Sequence, residues 1–101
     1  MLELEFNNTR YESKGITGRV KLEHARLVDK LAKKNIDKME GSSADFILEE
    51  CKFICKAFND QFTLDEFLDY VPAENIDIIF FRIGDYINKK VESNIRNIIK
   101  N

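Results

Sequence analysis

The sequence has no tryptophan, one proline, four glycines, two cysteines and one histidine in 101 residues. Each scarcity closes off a class of protein. Few glycines and a single proline leave little turn chemistry, which disfavours a many-stranded β fold and favours helices. Two cysteines, Cys51 and Cys55, are not the framework of a disulfide-stapled secreted domain. With His24 as the one imidazole, no serine or cysteine acquires a convincing triad. There is no glycine-rich phosphate loop; Gly15 and Gly18, bracketing Ile16-Thr17, form a capping arrangement. The densest apolar run, Ile76 to Ile83, is interrupted by Asp77 and Arg82 and is too short to span a bilayer. No basic region followed by an apolar run opens the chain, so no signal peptide is expected and the protein is read as cytosolic. A formal charge of −2 supplies no general pull toward nucleic acid or an anionic membrane.

What is present is ordinary for a folded helical domain: 44% apolar residues, 34% charged, eight Phe and three Tyr. The chain is expected to form one domain over residues 1–101. Residues 2–13 alternate, with Leu2, Leu4 and Phe6 on one side and Glu3 and Glu5 on the other. Asn7-Asn8 tolerates positive φ, so a β-hairpin is expected. An isolated hairpin is marginal, so it must lie on the helices or pair with another chain.

Four helices follow, at about 18–35, 44–58, 64–70 and 73–99. Thr17 caps the first, whose stripe is Val20, Leu27, Val28, Leu31 and Ala32, with His24 on the same face. Lys30, Lys33 and Lys34 crowd its last turn. The second, capped by Ser42 or Ser43, has one face of Ala44, Ile47, Leu48, Cys51, Ile54, Cys55 and Phe58, with Phe46 and Phe53 nearly opposite. A helix apolar on two sides is central or shared with a partner. In the short third helix Leu64, Phe67 and Leu68 face inward. Val71-Pro72 ends it and opens a fourth helix that could reach roughly 40 Å. Its stripe is Ile76, Ile79, Phe80, Ile83, Ile87, Val91 and Ile98, with Ile78, Phe81 and Ile99 on the far side. The expected fold is therefore mainly α: a hairpin, then four helices, the second central and the fourth longest.

The most heavily specified stretch is Phe58 to Phe67. Thr63 and Glu66 have the capping-box spacing, and Phe62 and Phe67 the hydrophobic-staple spacing. Together these contribute on the order of 1–2 kcal/mol and fix the angle between two helices.

Candidate chemistry is thin. Cys51 and Cys55 share a helix face and His24 could be a third ligand, but paired CxxC knuckles are absent. The two thiols are expected to be small buried hydrophobes. Acid pairs such as Glu49-Glu50 and Asp65-Glu66 are expected to be solvated surface, and 59–69 lacks the Asp-rich, Gly-centred pattern of a calcium loop. A helix–turn–helix over 44–70 would support a small DNA-binding regulator, with Lys30, Lys33, Lys34 and Lys38 as its basic patch. Its would-be recognition helix, however, opens on Leu64-Asp65-Glu66 and adds Asp69, which is electrostatically wrong for phosphate. No catalytic, cofactor or metal residues are assigned. What remains is a binding module. Surplus apolar helix faces suggest a homo-oligomer or a helical partner, with Phe46, Phe53, Ile78 and Phe81 as the expected contacts.

The order of parts resembles a known family. A Leu-Glu-Leu-Glu-Phe-Asn-Asn hairpin leads into Ile16-Thr17-Gly18-Arg19-Val20 and a lysine-rich helix. An aromatic-rich second helix follows, then Asn59-Asp60-Gln61-Phe62-Thr63, a short acidic helix and an Ile-rich helix. Over roughly 16–90 this is similar to the tail assembly chaperones of long-tailed bacteriophages and prophages of Gram-positive bacteria. The resemblance implies a non-enzymatic protein of the bacterial host cytoplasm, not retained in the virion. It would coat the tape measure protein and help recruit tail tube subunits. It also implies that this chain is the short form of a pair whose longer form is frameshifted. The alternatives are the DNA-binding regulator and a generic helical interaction module.

Overall fold

The computed structural model describes residues 2–37 and 44–99, with side chains described as far as Ala32 in the first helix and Lys89 in the last. The element order is β1 (Glu3–Phe6), β2 (Thr9–Glu12), α1 (Gly18–Asp37), α2 (Ala44–Ala57), α3 (Leu64–Tyr70) and α4 (Ala73–Ile99). The fold is mainly α, with a two-stranded antiparallel hairpin at its N-terminal end.

The hairpin turns at Asn7 (φ 49°) and Asn8 (φ 60°). Positive φ at both central residues of a two-residue loop matches the right-handed twist of the strands, and asparagine tolerates it better than most side chains. The register pairs Phe6 with Thr9 and Glu3 with Glu12. Phe6 and Tyr11 then point onto the helical layer. Phe6 meets Phe62 edge-on at 5.0 Å between ring centroids and Phe67 at 6.1 Å; Tyr11 meets Phe62 at 4.8 Å. The hairpin therefore lies on this chain's own helices, and each aromatic contact adds about 0.5–1.5 kcal/mol to the area it buries.

Thr17 caps α1: its hydroxyl accepts from the Val20 amide at 3.4 Å. The buried stripe is Val20 and Leu27, with Leu31 partly buried on the same side. Val28 and Ala32 face solvent, contrary to the expected stripe. Each lies one residue, about 100°, past the seam. α2 packs against α1, α3 and α4, which makes it the central helix. Its core positions gather toward its C-terminal half, from Glu50 through Phe58. Ala44, Ile47 and Leu48, expected to be inward, are exposed at the other end. In α3 only Phe67 is buried; Leu68 stands outward, one residue off the seam. Phe80, Ile83 and Ile87 anchor α4, with Ile76 and Ile79 packed against the core. The expectations for Lys33, Lys34, Lys38, Ser42, Ser43, Val91, Ile98 and Ile99 lie outside the described side chains.

Candidate interaction surface

α2 ends where the amides of Asn59 and Asp60 turn back to the carbonyls of Lys56 and Cys55, both at 2.9 Å. Those are the two bonds of a Schellman closure, with Asn59 (φ 62°) in the left-handed position usually given to glycine. α3 begins four residues later with both arms of the capping box formed. The Thr63 hydroxyl accepts from the Glu66 amide at 3.1 Å, and a Glu66 carboxylate oxygen accepts from the Thr63 amide at 2.8 Å. Phe62 and Phe67 stack at 5.8 Å, closing the staple.

This corner is also tied to the start of the chain. Ser13 Oγ donates to the Ala57 carbonyl at 2.9 Å, the Lys14 amide donates to Asn59 Oδ1 at 2.6 Å, and Gln61 Nε2 donates to the Glu12 carbonyl at 2.6 Å. The corner thus sets the angle between α2 and α3 and holds the hairpin on the helices.

The four residues expected to contact a partner separate into two pairs. Phe46 is 5% exposed and Phe53 4%, so both belong to the core and are corrected as surface contacts. Phe53 packs edge-on against Phe80 at 5.5 Å and beside the His24 ring at 5.7 Å. The second apolar side of α2 is covered by this chain itself. Ile78 and Phe81 differ: they are 51% and 54% exposed on the outward side of α4. Phe81 is held edge-on by Phe80 at 5.5 Å. Beside Ile78 runs a groove of about 640 Å³ between β1 and α4, lined by Leu2 to Glu5 on one side and Asn75, Ile78 and Arg82 on the other, with Phe58 and Ile83 beneath.

Glu50 was missed from sequence. Expected at the surface, it is 3% exposed. It falls four residues after Phe46 and three before Phe53, on the same side of α2, and that spacing was the available signal. Burial pushes its carboxyl up to about 8, helped by a hydrogen bond with Asp77 of α4 and by that group's charge. Its neighbour Glu49 does face solvent, bound by Lys30 at 2.8 Å and Arg26 at 3.5 Å. One lysine of the proposed basic patch is therefore already paired.

Chemical reactivity is suppressed elsewhere too. Burial pushes the Cys51 and Cys55 thiols up to about 11, away from the nucleophilic thiolate. His24 is pushed down by burial, so the neutral ring is the form that packs. Among the described residues no three of His, Cys, Asp and Glu come together where they could hold a metal ion. The opening turn of α3 is acidic and its last turn carries no basic residue. Among the described residues no helix is long and apolar enough to cross a membrane.

No curated protein sequence and no solved structure matches the chain. A family model described as phage tail chaperone protein does match, over residues 2–97, from the first strand through nearly all of α4. A match of that extent covers the hairpin, the capped corner and the exposed face of α4 together, and the chain belongs to the phage tail chaperone family.

Proposed function

We propose that the protein chaperones the tape measure protein while a phage tail is assembled, acting without catalysis in the host cytoplasm and leaving before the virion is complete. Family membership supports the tail chaperone role. The observation that carries the reading is the pair Ile78 and Phe81. They are large apolar side chains one helical turn apart, each about half exposed on a helix that is otherwise well anchored. A tape measure protein is a long helical chain whose apolar faces need cover until the tube forms around it. An apolar stripe at helical spacing is the complement such a chain requires. Tail tube subunits would be recruited to the same complex.

The test is co-expression with the tape measure protein of the same phage or prophage. The wild-type chain should co-purify with it. The Ile78→Asp/Phe81→Asp double variant should keep its helical circular dichroism, since both positions face solvent, and lose co-purification. Undiminished capture by the variant would overturn this surface; no capture by the wild type would overturn the tape measure reading itself.

A further inference from the structure

The two edges of the hairpin are not equivalent. The Ser13 amide donates to the Leu2 carbonyl at 3.0 Å, which makes 2–13 a hydrogen-bonded pair. By alternation 4–11 and 6–9 are the next ones, and 3–12 and 5–10 are the open pairs. The backbone groups of Glu3 and Glu5 therefore point away from β2, along the free edge of β1. Those of Arg10 and Glu12 point out along the other edge. On that second edge one group has a partner: the Glu12 carbonyl accepts from Gln61 of the capped corner at 2.6 Å. On the β1 edge, no partner for the Glu3 and Glu5 backbone groups is found among the described residues. This edge opens onto the groove whose far wall is Asn75, Ile78 and Arg82 of α4.

Charge restricts what can fill it. The outward face of the hairpin carries Glu3, Glu5 and Glu12 against Arg10 alone, and Glu3 stands directly opposite Glu12. Arg10 reaches Glu3 at 3.9 Å, and Glu5 has no ion pair among the described residues. A second copy cannot pair β1 with β1 without setting Glu3 and Glu5 against one another, since like charges directly opposite destabilise a strand pair. Pairing through β2 instead would displace Gln61 from the Glu12 carbonyl.

We propose that the free edge of β1 and its groove bind an extended segment of a different protein, one that alternates basic and aliphatic residues. Its backbone adds a third strand through the Glu3 and Glu5 amides and carbonyls. Its basic side chains lie on the carboxylate face, and its aliphatic ones descend toward Ile78 and Ile83. Arg82 fixes that facing, because a strand turned over would bring its cations against this guanidinium. The groove shares Ile78 with the surface proposed above, but the β1 edge is separate and its test uses no tape measure protein, so the two proposals fail independently.

The probe is a fluorescein-tagged peptide, acetyl-(Lys-Val)3-amide, titrated by fluorescence anisotropy, with (Glu-Val)3 as its counterpart. The basic peptide should bind at least about tenfold more tightly and slow amide exchange at Glu3 and Glu5. The Glu3→Lys/Glu5→Lys variant, altered only at exposed side chains, should reverse the preference. N-methylating every second peptide nitrogen should abolish binding in at least one of the two phases. Equal binding of both peptides, unchanged exchange at Glu3 and Glu5, or full binding of both methylated phases would overturn the proposal. So would failure of the basic peptide to bind.

Discussion

The imidazole of His24 on α1 lies against the backbone of Gly84 on α4, so close that a Cβ at residue 84 would fall 2.8 Å from its Cε1. The ring is stacked on Phe80 one turn earlier, with centroids 5.1 Å apart and planes at 27°. α1 and α4 can approach at this point because one contributes a flat ring and the other no side chain.

Gly84→Ala should therefore destabilise the fold by about 1 kcal/mol net, since overpacking of about 1–3 kcal/mol outweighs alanine's helical advantage of about 1 kcal/mol. In a His24→Ala background the same change should become stabilising. Urea denaturation of the four proteins in the cycle measures this; a stabilising Gly84→Ala in both backgrounds would remove the steric account.

Glu50 gives the stability a slope in pH. The unfolded carboxyl loses its proton near 4.5, the folded one near 8. Below 4.5 both states are protonated and the buried group's full contribution is present. Between 4.5 and 8 the folded state holds a proton that the unfolded state has given up, so stability falls as pH rises and levels off above 8. Glu50→Gln keeps a neutral, hydrogen-bonding side chain and should flatten this slope, gaining on the order of 4 kcal/mol over wild type at pH 8 relative to pH 4.5. Parallel wild-type and variant profiles would contradict the burial argument.

Thr63→Ala removes one arm of the capping box and should cost about 1 kcal/mol, whereas Thr63→Ser should cost little. Chemical denaturation compares them; equal midpoints for all three proteins would mean that the stacked Phe62 and Phe67 hold the corner unaided.

Asn59 combines a left-handed backbone with side-chain bonds to Lys14 and to the Gly15 carbonyl. Both variants lose the bonds, but Asn59→Gly also removes the Cβ from the left-handed region, whereas Asn59→Ala keeps it there without asparagine's local polar compensation, leaving it about 1–2 kcal/mol below the glycine variant. Thermal melts should rank wild type, then the glycine variant, then the alanine variant. A tie between the two variants would leave only the side-chain bonds as the reason for asparagine here.

Local devices were the legible part of the sequence. The cap at Thr63, the staple of Phe62 and Phe67 and the Asn7-Asn8 turn each lie within a few residues of chain, and the structure contains all three. Choices of face were less legible. On α2 the sequence offers two apolar sides and nothing that states which is covered, so it does not show that Phe46, Phe53 and Glu50 are all buried. On α4 the same pattern places Ile78 and Phe81 on the far side, and both are exposed. Periodicity separates inside from outside only when one side of a helix is polar. Gly84 was equally silent: a mid-helix glycine signals a close approach but does not name His24 as what approaches.

The ties from Glu12, Ser13 and Lys14 to residues 57–61 span more than 40 positions of sequence. During synthesis the hairpin emerges before the helices, and the surface it docks on does not exist until Phe62 and Phe67 have been made. Phe6 and Tyr11 must wait, uncovered, while α1 and α2 form. The hairpin thus leaves the ribosome before the corner it docks on and settles after it, and closing so long a loop slows that step. A member of a chaperone family passes through a stage in which its own aromatics in the hairpin need shelter.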